Sequence, residues 1–174
     1  MVSQRLYVIA SASGSGKTTL ARLAAGQMGV RCIELDALVH GPGWTETSNV
    51  SLRAQLTPIV AGDRWVIDGT YTEKLGDLVL RAADEIVWLD LPISTWMPRL
   101  IRRTVRRLLT REELWNGNRE SLRSVLAGRD SLFVHALRTH FERRRRWPIA
   151  LQPFPVVRLR SAEQVTRWLQ ARES

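Results

Sequence analysis

Residues Ser11-Ala12-Ser13-Gly14-Ser15-Gly16-Lys17-Thr18-Thr19 carry the densest chemistry in this chain. They follow the apolar run Leu6-Tyr7-Val8-Ile9-Ala10 and lead into a helical pattern through Leu20, Leu23 and Ala24. A strand, a small-residue loop ending Gly-Lys-Thr and a helix, in that order, form a cradle for phosphate. Successive backbone N–H groups and the positive end of the helix converge on the anion. Ser13, Gly14, Ser15, Gly16, Lys17, Thr18 and Thr19 are the expected binding segment, with Gly14 and Gly16 letting the backbone approach without a Cβ in the way. Lys17 is expected to reach the β- and γ-phosphates of a triphosphate, and the Thr18 hydroxyl to ligate Mg²⁺. The motif G-x-x-x-x-G-K-[ST] asks for glycine where Ser11 stands, so the match is incomplete at its first position. The competing readings are a flexible Gly/Ser turn before a helix and a dinucleotide-binding loop, whose third small residue is replaced here by Thr19.

Three aspartates close three apolar runs. Arg31-Cys32-Ile33-Glu34-Leu35 ends at Asp36, Arg64-Trp65-Val66-Ile67 at Asp68, and Glu85-Ile86-Val87-Trp88-Leu89 at Asp90. Ligands of open α/β sheets bind beyond the carboxyl ends of the strands, which predicts these carboxylates on the rim of the phosphate loop. Asp68 is expected to hold the metal through water, and Asp36 to orient an acceptor hydroxyl and act as a general base. Capping of the following helix is the alternative for each. For Asp90, followed by Leu91-Pro92, both uses stay open.

A stripe of guanidinium groups is the third feature. Arg99, Arg102, Arg103 and Arg106 fall at i, i+3, i+4 and i+7 of an expected helix, with Met97, Leu100, Ile101, Val105 and Leu108 on the predicted buried face. Arginine pairs bidentately with phosphate oxygens, so the stripe suits a polyphosphate, and Arg103 is placed among the nucleotide-binding residues. A solvated basic face is the alternative. Arg119, Arg123 and Arg129 flank an irregular stretch and are candidates for a closing lid at about 110–130, with Arg119 given a catalytic role on the transferred phosphoryl group. Arg143-Arg144-Arg145-Arg146 stands before Trp147-Pro148, where a helix C-terminus favours cations. His40, His135 and His140 show no paired metal spacing, and Trp44 and Trp115 sit in loops near the expected site.

The net charge of +9 is concentrated in this region. Residues 99–146 hold 14 arginines against five acids, so the whole excess lies in 48 residues and calls for an anionic partner. Nucleotide phosphates fit; nucleic acid is the weaker reading, because the basic stripe does not interleave with aromatics and no reading helix or zinc module is evident. Lysine occurs only at positions 17 and 74. Cys32 is the only cysteine, which excludes an intrachain disulfide and fits a reducing cytoplasm. No apolar run approaches the roughly 20 residues of a membrane span, and the expected first strand begins too early for a signal peptide.

The elements that must position these groups alternate. Strands are predicted at about 5–10, 31–35, 64–67, 85–89 and 156–159. Helices are predicted at about 16–27, 51–61, 72–82, 92–109, 120–127, 131–146 and 162–171. Alternation of this kind predicts an α/β domain with a parallel sheet and right-handed crossovers, in a single domain over 1–174.

Gly14-Ser15-Gly16-Lys17-Thr18-Thr19, Leu35-Asp36-Ala37-Leu38, Gly41-Pro42-Gly43-Trp44, Asp68-Gly69-Thr70-Tyr71 and Leu89-Asp90-Leu91-Pro92 together resemble the P-loop kinases of the nucleoside monophosphate kinase-like class. The likeness extends through Trp115-Asn116-Gly117-Asn118-Arg119-Glu120-Ser121 and is nearest to the bacterial adenylate kinase-related, or DNA topology modulation, proteins. The resemblance implies a three-layer α/β P-loop NTPase fold, a five-stranded parallel sheet of order 2-3-1-4-5, a helical lid, and ATP with Mg²⁺ as the donor pair. It implies an ATP-dependent phosphotransferase acting on a nucleotide or other small molecule. Adenylate kinases carry Asp-Gly-Phe-Pro-Arg where this chain reads Asp68-Gly69-Thr70-Tyr71-Thr72, so their acceptor-phosphate arginine is missing here. A nucleic-acid-associated NTPase and a non-catalytic nucleotide-binding module are the rival functions.

Overall fold

The run Leu6–Ala10 is apolar at every position, the composition of a strand covered on both faces. In the computed structural model, which describes residues 4–118 and 131–172, β1 (Arg5–Ala10) is the middle strand of a five-stranded sheet. Its order is β2-β3-β1-β4-β5, with β2 at Cys32–Glu34, β3 at Trp65–Asp68, β4 at Glu85–Leu89 and β5 at Val156–Leu159. All four pairings are parallel, as the alternating pattern requires. Tyr7 and Ile9 point to one face, where α3 (Asn49–Val60), α5 (Leu78–Ala82) and Trp147 cover them. Leu6, Val8 and Ala10 point to the other, beneath α1 (Lys17–Met28) and the Val165, Trp168 and Leu169 side of α8 (Ala162–Gln170).

Several boundaries differ from the sequence expectation, each for a local reason. β2 stops at Glu34, and Leu35 opens a short helix, α2 (Leu35–Val39), so Asp36 lies in a first helical turn rather than at a strand end. The helix predicted over 72–82 is split into α4 (Thr72–Leu75) and α5, because Gly76 takes a φ of 58° that a continuous helix forbids. α6 (Ile93–Thr110) begins directly after Pro92 as expected. α7 (Leu132–Ala150) runs through Trp147-Pro148 instead of ending before it, which removes the helix-end explanation for Arg143–Arg146. The helix predicted at 120–127, and Arg119, Arg123 and Arg129 with it, lie outside the described residues.

The predicted buried face of α6 was placed a step out of phase. Trp96, Leu100 and Thr104 are the buried residues, whereas Ile101 and Val105 are exposed. Helix positions four apart share a face, and Trp96, Leu100 and Thr104 form such a row, with Trp96 and Leu100 against Gly14 of the phosphate loop. A Cβ on Gly14 would come within 2.7 Å of the Trp96 carbonyl oxygen and 2.9 Å of Leu100 Cβ. Gly14 is therefore required by the packing of α6, while Gly16, where a Cβ would meet only Arg99 Nη1 at an ordinary 3.9 Å, is required by its φ of 87°.

Ser11, the position where the loop motif asks for glycine, is 1% exposed and holds a buried network. Its hydroxyl donates to Asp90 Oδ1 at 2.9 Å and accepts from Trp88 Nε1 at 2.8 Å. Asp90 also receives Arg158 on Oδ2 at 2.7 Å and lies 3.2 Å from Arg144 Nε. That network assigns Asp90 to the core. Changing Ser11 to glycine would leave Trp88 Nε1 without its acceptor and take one of the donors from Asp90 Oδ1. Restoring the motif in this way is expected to cost about 1–3 kcal/mol of stability, measured as a fall in the urea midpoint; an unchanged midpoint would show the network to be idle.

Candidate active site

The loop between β1 and α1 closes on a single carboxylate. Lys17 Nζ donates to Asp68 Oδ1 at 2.6 Å, and Thr18 Oγ1 donates to Asp68 Oδ2 at 2.6 Å. Parallel pairing sets this up: Val8 of β1 is in register with Asp68 of β3, so the β3 terminus lies beside the start of the loop. Within the loop, Ser15 Oγ donates to the Ala12 carbonyl at 2.8 Å, and Leu20 N closes the first turn of α1 on Gly16 O at 3.0 Å. Ser13, Gly14, Ser15, Gly16, Lys17, Thr18 and Thr19 all line one open cavity of about 880 Å³.

Asp36 and Arg103 line the same cavity, joined by Arg99, Arg106 and Arg107 of α6. Arg102, counted in the predicted stripe, is exposed and does not line it. Asp68 is not a wall residue; it sits behind Lys17 and Thr18, 2% exposed. Among the described residues, then, the structure gathers every expected nucleotide-binding residue and places both expected carboxylates at or just beneath the cavity. Arg119 lies outside the described residues.

The opposite wall was not anticipated in detail. Tyr71 donates its hydroxyl to Asp36 Oδ1 at 2.6 Å and lies 3.1 Å from His40 Nε2. Burial and the neighbouring Asp36 charge push the Tyr71 phenol well above its ordinary value, so it stays a donor to that carboxylate. His40, to which no role was assigned from sequence, is ringed by Trp44 at 5.4 Å, Tyr71 at 6.3 Å and Trp115 at 6.4 Å between ring centres. Gly69, with a φ of 151°, is part of this arrangement, because a Cβ there would come within 2.5 Å of Leu35 Cβ and push α2 away from β3.

The described part of the predicted lid is tied to this wall. Asn116 Nδ2 donates to the carbonyls of Ala37 at 3.2 Å and His40 at 2.6 Å, and Asn118 Nδ2 donates to Gly41 O at 2.9 Å. Trp44 N donates in return to Asn118 Oδ1 at 2.9 Å, and Trp115 Nε1 to Glu34 Oε2 at 3.2 Å.

Arg143 was also missed. Its Nη1 reaches the carbonyl oxygens of Ala10 at 3.1 Å and Ser11 at 3.4 Å, and its guanidinium lies 5.4 Å from the Trp147 ring. It braces the point where β1 becomes the loop. Nothing in linear spacing marks it, since the contact spans more than 130 residues. Among the described residues no group of three or more His, Cys, Asp or Glu could enclose a metal ion, which leaves Thr18 and Asp68 as the hard-oxygen pair beside the loop.

No protein-family model and no curated protein matches this chain. Solved structures do match in fold. A shikimate kinase from Bacteroides thetaiotaomicron superposes with a TM-score of 0.59 at 15% identity, covering 98% of this chain and 96% of its own. A deoxyadenosine kinase from M. mycoides with bound dATP superposes with a TM-score of 0.51 at 10% identity, covering 97% of this chain and 99% of its own. The fold, a five-stranded parallel sheet of order 2-3-1-4-5 flanked by helices, is the one these two kinases share. The narrower likeness to DNA topology modulation proteins finds no support among these neighbours. Among the described residues no helix is long and apolar enough to cross a membrane.

Asp68 generates a pH-dependent prediction. Burial raises its carboxyl above the ordinary aspartate value and outweighs the opposing pull of Lys17 and Thr18. A group that binds its proton more tightly when folded contributes stability at low pH and loses it as pH rises through its native value. The stability of the wild type relative to Asp68→Asn is therefore expected to fall as pH rises from about 4 to about 7. Urea unfolding across that range checks it, and a difference that stays flat or grows would contradict it.

Proposed function

We propose that this protein is an ATP-dependent phosphotransferase that delivers the γ-phosphoryl group to a hydroxyl of a small molecule. The observation that carries the reading is the convergence of Lys17 and Thr18, which line the cavity, on Asp68 just beneath it at 2.6 Å contacts, in a cavity that also holds Asp36 and four arginines of α6. The P-loop kinase fold supports it. A shikimate kinase and a deoxyadenosine kinase among the fold neighbours are named for hydroxyl acceptors of unlike chemistry, so the fold carries the reaction type and leaves the acceptor to the cavity wall.

Phosphoryl transfer asks the protein for position and charge more than for covalent chemistry. In this reading the amides of residues 13–19 wrap the phosphates, and Lys17 leaves Asp68 to bind the β/γ bridge. Arg99 and Arg103 meet the remaining phosphate charge. Mg²⁺ would be held by the Thr18 hydroxyl and, through water, by Asp68, and it would neutralise phosphate oxygens when bound. Asp36 Oδ1 is occupied by Tyr71, whereas Oδ2 has no hydrogen-bond partner among the described residues. Oδ2 is the atom that would accept the acceptor's proton as its oxygen attacks phosphorus. A single domain with a lid over 110–130, carrying Arg119 towards the transferred group, completes the proposal. The cavity-facing arginines favour a bound nucleotide over a nucleic-acid surface.

Lys17→Ala is expected to weaken ATP binding by about 100-fold or more, since a charge-assisted contact and its long-range attraction are both lost. Titration calorimetry reads this directly, and undiminished affinity would remove Lys17 from the site. Asp36→Asn is expected to keep ATP affinity and to lose about 10²–10⁴-fold in turnover. Turnover that survives would make Asp36 a structural residue.

A further inference from the structure

The wall facing the arginine helix differs from it in chemistry. Its side chains are aromatic: His40 stands at the centre of Trp44, Tyr71 and Trp115, and all four line the cavity. Its charges are negative or already matched. Asp36 faces the cavity with one oxygen unfilled, and Glu34 is met by Arg22 at 2.5 Å and by Trp115 Nε1. Among the described residues, apart from Arg22, each arginine lining the cavity comes from α6. Lys74 is held by Glu46 at 2.7 Å, and Arg143 lines no part of the cavity.

The aromatic wall is also held in place at some conformational cost. Trp44 and Asn116 both have left-handed backbone, with φ of 60° and 56°, and neither is glycine. Such residues persist where surrounding bonds over-determine them, and they gather at binding sites. Here the over-determination is visible: Trp44 N on Asn118 Oδ1, and Asn116 and Asn118 on the carbonyls of residues 37, 40 and 41. The result is a preformed box with a carboxylate at its base.

Resting on the phosphotransferase reading, we infer that the acceptor is an uncharged alcohol carried on a flat ring, not a phosphorylated or carboxylated one. The ring stacks among His40, Trp44 and Trp115, since flat apolar faces are what aromatic side chains bind. The hydroxyl donates to Asp36 Oδ2. As its oxygen forms the new bond to the γ-phosphorus, the bond from that phosphorus to the β–γ bridging oxygen breaks. ADP leaves, and the hydroxyl proton passes to Asp36. A phosphate or carboxylate on the acceptor would meet Asp36 with no unmatched cation on that wall among the described residues, whereas a neutral ring meets no such repulsion. Tyr71, whose single proton is given to Asp36, leaves His40 Nε2 to donate to the Tyr71 oxygen, which fixes the orientation of the carboxylate from behind.

The test uses the full chain with Mg²⁺ and ATP, and pairs of acceptors that differ by one group: free nucleosides against their 5′-monophosphates, with glycerol as a polyol lacking a ring. ADP release and quenching of tryptophan fluorescence are both recorded. The expected result is kcat/KM at least tenfold higher for ring alcohols than for the monophosphates or glycerol. Trp44→Ala is expected to raise the acceptor KM about tenfold while the calorimetric Kd for ATP stays put, with Trp44→Phe restoring most of the loss. Faster turnover of the monophosphates, or equal turnover of glycerol, overturns the inference and leaves the phosphotransferase reading standing. So does ATP binding with neither turnover nor quenching by any ring alcohol. Failure of ATP itself to bind overturns the phosphotransferase reading, and the inference with it.

Discussion

The Asp68 carboxylate ties two parts of the chain together, each oxygen taking one donor from the first turn of α1. Because β1 and β3 are paired through Val8 and Asp68, this side chain is delivered to the loop by backbone hydrogen bonding and not by its own packing. Everything on the rim is then located relative to it. Gly69, the next residue, can approach Leu35 only because it lacks a Cβ, and Leu35 is followed by Asp36. The second carboxylate is therefore set by the first through one glycine. Tyr71, two residues further on, returns to hydrogen-bond that same Asp36. Four residues of linear sequence, 68 to 71, position both acids.

What could be read from sequence is what depends on local order. The strand–loop–helix unit, Asp68 at the end of a strand, and the start of α6 after Pro92 follow from period, punctuation and spacing. The features that escaped depend on contacts across the sheet. Ser11 departs from the loop motif, yet the reason is 79 residues away in Asp90. Arg143 looked like a helix-end cation because Trp147-Pro148 looked like a stop. The helix instead continues to Ala150, and the side chain reaches back to β1. The inner face of α6 was misjudged because Ile101 and Val105 were weighed by hydrophobicity alone. The buried row instead runs through Trp96, Leu100 and Thr104, the first two against Gly14 of the loop, and Thr104 is a residue that a count of apolar side chains does not favour. His40 was passed over because it has no metal-like spacing, and its neighbours Trp44, Tyr71 and Trp115 come from three separate segments.

The cavity brings like charges together before any ligand arrives. Arg99, Arg103, Arg106 and Arg107 share one helix and one cavity, and Arg106 and Arg107 lean on Glu112 at 2.9 and 3.7 Å. Concentrated charge of one sign destabilises a fold through self-repulsion and raises the local concentration of counter-ions. A polyanion bound there would relieve the repulsion, so part of its affinity would come from strain already present in the protein. Binding of that kind stabilises the native state by mass action. The same reasoning bears on part of the net charge: four of the 14 arginines of residues 99–146 line the cavity, where a polyphosphate would offset them, while the rest of the chain is balanced.

The Lys17–Asp68 contact has a double character. Burial works against the Asp68 charge, and the ammonium and hydroxyl donors partly offset that cost. Were Lys17 to move to a phosphate, as proposed, Asp68 would lose its cation in a site that already disfavours its charge. The carboxylate must then find a new positive partner or take up a proton. A divalent cation arriving with the nucleotide meets that need, and Thr18, which already touches the second Asp68 oxygen, stands where the exchange would occur. In the proposed reading, nucleotide and metal would thus be coupled through one buried acid: each would make the other's binding less costly, and neither contact alone would leave the site electrostatically satisfied.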